Sequence, residues 1–147
     1  MNTIEVNFEN VIEIEIKDSI NVFCKSVLKN LEITNWEISI LICDNTYIKD
    51  LNNRYRYKNE PTDVLSFNQD LVPIDGTIYA GDIVISLETV KLHSKTFSVP
   101  LYEELKRVLV HGILHLKGMD HQTNSKEEKM LQIQEDILKT IPGDIIN

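Results

Sequence analysis

The chain has 147 residues, enough for one domain with its own core, and we expect a single domain over residues 1–147. Its formal net charge of −8 excludes a protein that holds nucleic acid by overall positive charge, although a local basic patch remains compatible with it. The N-terminus shows no basic segment followed by an apolar core, and no apolar run is long enough to span a bilayer. We therefore expect a cytoplasmic protein without a membrane partner.

Two cysteines, Cys24 and Cys43, lie in apolar stretches and form no C-x-x-C pair. This pattern predicts buried, reduced thiols that act as small apolar side chains. Free thiols fit a reducing compartment, in agreement with the expected cytoplasmic location.

The predicted elements follow from apolar periodicity. Alternating apolar and polar side chains predict strands over 3–8, 36–42, 62–67 and 78–86. Helical spacing predicts helices over about 17–31, from 44 or 45 into the polar stretch 52–58, over 87–97, over 101–117, and from a Ser125–Glu128 capping box to Pro142 and Gly143. Gly81 inside its strand indicates a bulge or a close approach. The order β-α-β-α-β-β-α-α-α predicts an α+β domain, a small mixed sheet packed with helices.

Residues 111–121 read H-G-I-L-H-L-K-G-M-D-H and hold three of the four histidines. His111 and His115 are four residues apart, so on a helix they share one face. Gly118 can adopt the left-handed conformation that ends a helix, which would let the chain bring His121 back as a third ligand. Three histidines without a fourth protein ligand are typical of a catalytic zinc site, in which water holds the open position.

The same spacing occurs in the metzincin proteases, H-E-x-x-H-x-x-G-x-x-H. Gly112 stands here in place of the glutamate that serves those enzymes as general base. The metal geometry is therefore compatible with hydrolysis, because bound zinc lowers the pKa of water and polarises a phosphoryl oxygen. A peptidase is the disfavoured alternative on the same scaffold.

Residues 54–58, R-Y-R-Y-K, are the most basic short stretch of the chain. Arg56 is the best candidate to stabilise charge on a phosphate, because a guanidinium is a planar bidentate donor. Tyr55 and Lys58 suit single-stranded nucleic acid through base stacking and phosphate contacts. A solvated helix end, where cations lie beside the last carbonyls, explains the same composition equally well.

Four features together resemble the YbeY endoribonuclease family. Residues 111–121 are similar to the family's H-G-x-L-H-L-x-G-Y-D-H. Residues 51–56 and 61–67 are similar to L-N-x-x-Y-R and P-T-D-V-L-S-F, and residues 81–86 to G-D-I-x-I-S. The domain size, with the histidines late in the chain, also agrees, and the resemblance covers about residues 36–140.

The resemblance implies a zinc-dependent, single-strand-specific endoribonuclease in ribosomal RNA maturation, especially at the small-subunit 3′ end, and in ribosome quality control. It implies one zinc ion on His111, His115 and His121, and a functional Arg56, which lies five residues before Pro61 as in the family. Ribosomal RNA is the implied partner, and ribosomal proteins or assembly factors are further candidates. Tyr55, Lys58 and Ser66 are hypothesised to help hold the RNA strand.

Three departures from the family pattern leave the ligands untouched. Met119 replaces the usual tyrosine, Asn68 follows Phe67 where proline is common, and His93 stands where glutamine is frequent. We expect His93 on a helix surface rather than in the cleft. Asp120 is either a hydrogen-bond acceptor for a ligand histidine or a solvated loop residue.

A non-enzymatic alternative also follows from the sequence. A ribosome-assembly or RNA-binding factor with structural zinc would carry the same histidines, but structural sites usually have four protein ligands. The number of side chains on the metal distinguishes that alternative from hydrolysis.

Overall fold

The computed structural model describes residues 1–11, 16–69, 71–119 and 124–141, with the backbone alone for 124–128. Its elements are β1 (Thr3–Phe8), α1 (Lys17–Asn30), β2 (Trp36–Cys43), α2 (Asn45–Arg56), β3 (Val64–Asn68), β4 (Ile78–Ser86), α3 (Leu87–Thr96), α4 (Leu101–Leu116) and α5 (Asn124–Thr140). This is the predicted order, and the α+β class is confirmed. The side chains of the predicted capping box, and the predicted helix end at Pro142 and Gly143, lie outside the described part of the structure.

The strands form a mixed sheet in the order β1-β2-β4-β3. β1 is parallel to β2 and β2 is parallel to β4, whereas β3 pairs antiparallel with β4. β3 therefore lies at an edge of the described sheet, with one side of its backbone available to other groups. That edge is where the site described below is built.

Helices cover the sheet unequally. Ile83 and Ile85 of β4 belong to the larger apolar core, which also includes buried side chains of α1, α3, α4 and α5. Val84 belongs instead to a smaller cluster with Leu65 of β3 and Ile48 of α2. Because successive strand side chains point to opposite faces, α4 and α2 lie on opposite faces of the sheet.

Gly81 forms the predicted irregularity in β4. Its φ is +143°, and a Cβ atom there would lie 2.2 Å from the carbonyl oxygen of Phe67. The register of β2 against β4 shifts between Glu37 and Ile38, opposite this glycine. Glycine is therefore required by the close approach of β3, and the sequence-based expectation is confirmed.

Gly118 ends α4 as predicted. Its φ is +100°. The Gly118 N–H donates to the carbonyl of His115 at 2.9 Å, and the Met119 N–H donates to that of Leu114 at 3.1 Å. These two bonds form a Schellman motif, which satisfies carbonyls that the helix itself leaves unpaired. The chain consequently changes direction three residues after His115.

The cysteine prediction is confirmed as well. Cys24 and Cys43 are both buried and free. Burial raises the pKa of each thiol to about 12, so both are neutral near pH 7. In the described part of the chain, every helix is too short or too polar to cross a membrane.

Candidate active site

α4 presents His111 and His115 one turn apart on the same face. Their Nε2 atoms lie 3.0 Å from each other. The ring centroids are 4.6 Å apart, with an angle of 71° between the ring planes. Both side chains are half-buried, and both point toward β3 rather than into the core. Two converging imidazole nitrogens suit a shared metal ion, since zinc binds histidine nitrogen at about 2.0–2.1 Å.

Arg56 reaches the same place from the other face of the sheet. It is the last residue of α2, because Tyr57 takes the left-handed conformation with φ 59°. The Arg56 Nη2 donates to the carbonyl oxygen of Ser66 at 2.9 Å. Its Cζ lies 5.9 Å from the ring centroid of Phe67. The guanidinium is therefore held at the edge of β3 while the residue remains exposed.

A single depression, the histidine cleft, contains these groups. Its lining includes Arg56, Asp63, Ser66, Asn68, His111 and His115. The Ser66 hydroxyl donates to the carbonyl of Gly112 at 3.2 Å, and the Asn68 amide donates to that of His115 at 2.8 Å. These two bonds connect the edge strand to α4 across the cleft.

The structure therefore brings four predicted residues together: Arg56, Ser66, His111 and His115. Ser66 is buried and its hydroxyl already bonds α4, so its clearest contribution is to the wall of the cleft. Lys58 is exposed two residues beyond Arg56 and does not belong to the lining of the cleft as described.

Tyr55 lies in a different depression, which we call the α2 hollow. Its ring packs edge-on against Phe67 with 5.4 Å between centroids, and 59% of the residue is exposed. The hollow is lined by Tyr55, Phe67, Leu41, Leu51 and Asp82 among others. Tyr55 and Arg56 are thus separated by β3 although they are neighbours in sequence.

His121 and Asp120 lie outside the described residues. Two assignments therefore stay predictions: His121 as third metal ligand and Asp120 as a hydrogen-bond acceptor. For His111 the structure supplies a different acceptor, Gln134 of α5, whose Oε1 lies 2.8 Å from the histidine Nδ1. Sequence reasoning missed Gln134, although a glutamine beside the apolar residues Ile133 and Ile137 was the available signal.

A second polar group borders the cleft at Asp63. The ligand atoms of Asp63, His93 and Glu104 all lie within 4.8 Å of one another, and this set could hold a metal ion. His93 Nδ1 lies 3.5 Å from Asp63 Oδ2. The His93 side chain is 33% exposed, and His93 is not among the described residues that line the histidine cleft, in agreement with the expected position outside it. Glu104, one turn before Val108 on the apolar stripe of α4, was the sequence signal for this group.

Arg107 connects this group to α5. Its Nη1 donates to Glu104 at 3.2 Å, and its Nε and Nη2 donate to Glu135 at 3.2 and 3.1 Å. Hydrogen bonding by Arg107 lowers the pKa of the Glu135 carboxyl, and the same bond raises the pKa of Arg107. Both groups are consequently charged near neutral pH.

The donor set at the histidines fits a bound zinc ion. Imidazole nitrogens are borderline-soft ligands that zinc prefers, and a ligand histidine usually donates its other N–H to an acceptor. His111 has that arrangement, with Nε2 toward His115 and Nδ1 at the Gln134 oxygen. Asp63, His93 and Glu104 are a harder donor set, and Arg107 already offsets the charge of Glu104.

An α+β fold with a polar cleft that combines imidazoles and an arginine is thus established. The sequence profile of the family Endoribonuclease YbeY matches residues 3–142. Endoribonuclease YbeY of Borreliella burgdorferi is 52% identical over 128 residues, covering 80% of this chain and 81% of the relative. That of Treponema denticola is 50% identical over 120 residues, covering 79% and 77%.

The fold has a solved counterpart as well. The solution structure of TM1509 from Thermotoga maritima superimposes with a TM-score of 0.62 at 25% identity, covering 94% of this chain and 91% of that one. The chain belongs to the endoribonuclease YbeY family and is an endoribonuclease, a hydrolase of phosphodiester bonds. The resemblance inferred from the four sequence features is confirmed.

Proposed function

We propose that the histidine cleft is the active site, and that it cleaves single-stranded RNA with one zinc ion held by His111, His115 and His121. The observation that carries the proposal is the placement of Arg56 and the two described histidines in one cleft. Zinc bound there would supply a water of lowered pKa and a Lewis acid for a phosphoryl oxygen.

Arg56 is proposed to bind the scissile phosphate. A guanidinium carries five N–H donors in a fixed plane, and Arg56 Nη2 is held by the Ser66 carbonyl. That bond orients the fork, and the remaining donors are available to a phosphate entering the cleft. A lysine could not be oriented in this way, because its ammonium group is a point charge on a flexible stem.

The cellular role is proposed from the family. Ribosomal RNA is the substrate, cleavage contributes to maturation of the small-subunit 3′ end, and the enzyme takes part in ribosome quality control. The family name and the relatives from Borreliella burgdorferi and Treponema denticola, each named as an endoribonuclease, support an RNA substrate. We also propose that residues 1–147 form a single domain. A cytoplasmic location is proposed as well, supported by the free, buried thiols, which fit a reducing compartment.

Peptide hydrolysis on the same scaffold has no support in the geometry. Position 112 faces β4, and a Cβ atom there would lie 2.9 Å from Ile83 Cγ2. A glutamate at this position would meet the core instead of the cleft, so the general base of the metzincins has no place here. A non-enzymatic assembly factor is set aside by membership of an endoribonuclease family.

The test compares His115→Ala and Arg56→Glu with the wild type on single-stranded ribosomal RNA, using metal-loaded protein freed of host nucleases. His115→Ala should lose both zinc and cleavage, whereas Arg56→Glu should keep zinc and lose cleavage. Lys91→Ala, an exposed change on α3, is the control. Wild-type cleavage rates in both site variants would contradict the proposal.

A further inference from the structure

The hydrogen bonds behind His111 form a continuous chain from α4 to α5 and back. His111 Nδ1 meets Gln134, the Gln134 amide meets Glu135, and Glu135 meets Arg107. Arg107 lies one turn before His111 on α4. We propose that Gln134 is a positioning residue, which holds the His111 ring with its proton on Nδ1 and so directs the Nε2 lone pair into the cleft. This inference rests on the proposed metal-dependent function.

Gln134 is buried and its amide is engaged on both sides. It is only 3% exposed and lies on the apolar side of α5 near Met130 and Ile137. Burying an amide without hydrogen-bond partners is unfavourable, so both ends of the Gln134 amide require hydrogen bonds. His111 and Glu135 provide them at 2.8 and 3.3 Å.

The charge of Glu135 decides which way the amide points. An ionised carboxylate only accepts hydrogen bonds, so the Gln134 atom facing Glu135 must be the amide nitrogen. The amide oxygen then faces His111 and can only accept. The histidine must therefore donate from Nδ1, and in a neutral imidazole this leaves Nε2 as the acceptor or metal ligand.

Arg107 stabilises this arrangement from behind. It donates two parallel hydrogen bonds to Glu135 and a third to the buried Glu104, which is 4% exposed. Hydrogen bonding by Arg107 lowers the pKa of Glu135, so the carboxylate stays ionised through the neutral range. Two carboxylates thus hold one guanidinium between α4 and α5, and the orientation of Gln134 follows from that ion pair.

The same hydrogen bonds connect α5 to the proposed metal site. Ligand histidines that donate their second N–H to an acceptor are more basic and better oriented, and loss of that acceptor typically lowers metal affinity 10- to 100-fold. α5 contributes no described side chain to the lining of the histidine cleft. Its contribution to the metal site is therefore exerted through Gln134 and His111.

The experiment compares Gln134→Met, Gln134→Glu and Gln132→Met. Methionine fills a similar volume but offers no comparable acceptor, glutamate keeps an acceptor oxygen, and Gln132 is an exposed glutamine on the same helix. Zinc affinity is measured by competition with a chelator, and the His111 tautomer by ¹⁵N spectroscopy of metal-free protein at about pH 8.5, where model imidazoles are neutral. Glu135→Gln, at a half-buried position, is added in case Gln134→Met fails to fold.

Gln134→Met should lower zinc affinity 10- to 100-fold and mix the two His111 tautomers. Gln134→Glu, which keeps an acceptor oxygen, should bind zinc within about fivefold of the wild-type affinity. A purely structural role for the amide would not require this. Gln132→Met should bind zinc like the wild type. Glu135→Gln should reduce affinity severalfold, because its neutral side chain no longer fixes the direction of Gln134. Unchanged affinity and an unchanged tautomer in Gln134→Met, or in Glu135→Gln if Gln134→Met does not fold, would overturn the inference.

The two proposals fail in different ways. If the wild type binds no zinc, the proposed function is wrong, but the ¹⁵N spectrum of the metal-free protein still reports whether Gln134 holds the Nδ1 proton. If the wild type binds zinc and its His111 carries the proton on Nε2 in the metal-free protein, the inference is wrong and the metal site stands.

Discussion

The histidine cleft and the α2 hollow lie on opposite sides of β3 and differ in chemistry, not in size. Their volumes are about 500 and 490 Å³. The cleft is lined by imidazoles, a guanidinium and a carboxylate, whereas the hollow is lined mainly by aliphatic and aromatic side chains with few charges. Volume alone would not identify the active site. The convergence of metal-ligand and phosphate-binding groups in the histidine cleft identifies it.

The difference arises from the alternation of one short strand. Ser66 and Asn68 of β3 bond α4, while Leu65 and Phe67 pack with α2. Neighbouring residues at the end of α2 diverge in the same way, since helix positions differ by about 100°. Arg56 bonds the strand edge beside the cleft, and Tyr55 remains in the hollow.

Removal of Arg56 should give the largest effect. Arg56→Ala is expected to lower kcat by about 10²- to 10³-fold, the usual loss for one preorganised donor to a developing charge. Arg56→Lys should recover only part of this, because it cannot form the same planar pair of bonds. Single-turnover cleavage of an RNA oligonucleotide measures both. A kcat within twofold of the wild type in Arg56→Ala would mean that the cleft does not bind the scissile phosphate.

Substitution of Tyr55 tests whether the α2 hollow contributes to RNA binding. If the exposed ring stacks on an RNA base, Tyr55→Ala should weaken RNA binding by about 1–3 kcal/mol and leave kcat nearly unchanged. Tyr55→Phe, which keeps the π face, should bind like the wild type. Fluorescence anisotropy with single-stranded RNA gives Kd, and parallel kinetics give kcat. A fall in kcat rather than in affinity would show that the two depressions are not functionally separate.

Gly112 tests the packing of α4 against the sheet between the two depressions. Gly112→Ala places a Cβ atom 2.9 Å from Ile83 Cγ2. Overpacking of this kind destabilises by about 1–3 kcal/mol, offset in part by the better helix propensity of alanine, about 1 kcal/mol. Urea denaturation of both proteins measures the difference in free energy of unfolding. In an Ile83→Ala background the same change should become neutral or stabilising; an equal penalty there would exclude the contact as its cause.

The smallest effect concerns the ion pair behind the cleft. Hydrogen bonding by Arg107 lowers the pKa of Glu135 below its ordinary value of 4.5. The pair therefore stabilises the folded state above about pH 4.5, and that stabilisation is lost as the pH falls through the lowered pKa. Because the Glu135 side chain is 46% exposed, the contribution is below about 1 kcal/mol.

The free-energy difference between the wild type and Glu135→Gln measures this contribution. It should be present at pH 7 and should shrink below pH 4. A difference that grows on acidification would contradict the sign of the shift.

Much of the fold followed from local patterns. Strand and helix ends fall within about two residues of their predicted positions where the structure describes both. Apolar alternation and helical spacing are strong in this chain. The Asp44 side chain accepts a hydrogen bond from the Tyr47 N–H at the start of α2, and Gly81 and Gly118 take positive φ values that favour glycine. The site was less predictable, since Asp63, His93, Glu104 and Gln134 belong to four separate segments.

The sequence by itself determined that His111 and His115 share a helix face. It also determined that the segments around Arg56 and the histidines carry the motifs of one family. Short-range residue spacing encodes both features. Only the tertiary structure decided which side of β3 each group faces. Because β3 lies at the sheet edge, Arg56 of α2 reaches the cleft that α4 forms on the opposite face. The alternation of β3 divides Arg56 from Tyr55, and the packing of α5 brings Gln134 to His111. These contacts join residues far apart in sequence, and long-range packing, which no local spacing encodes, sets them.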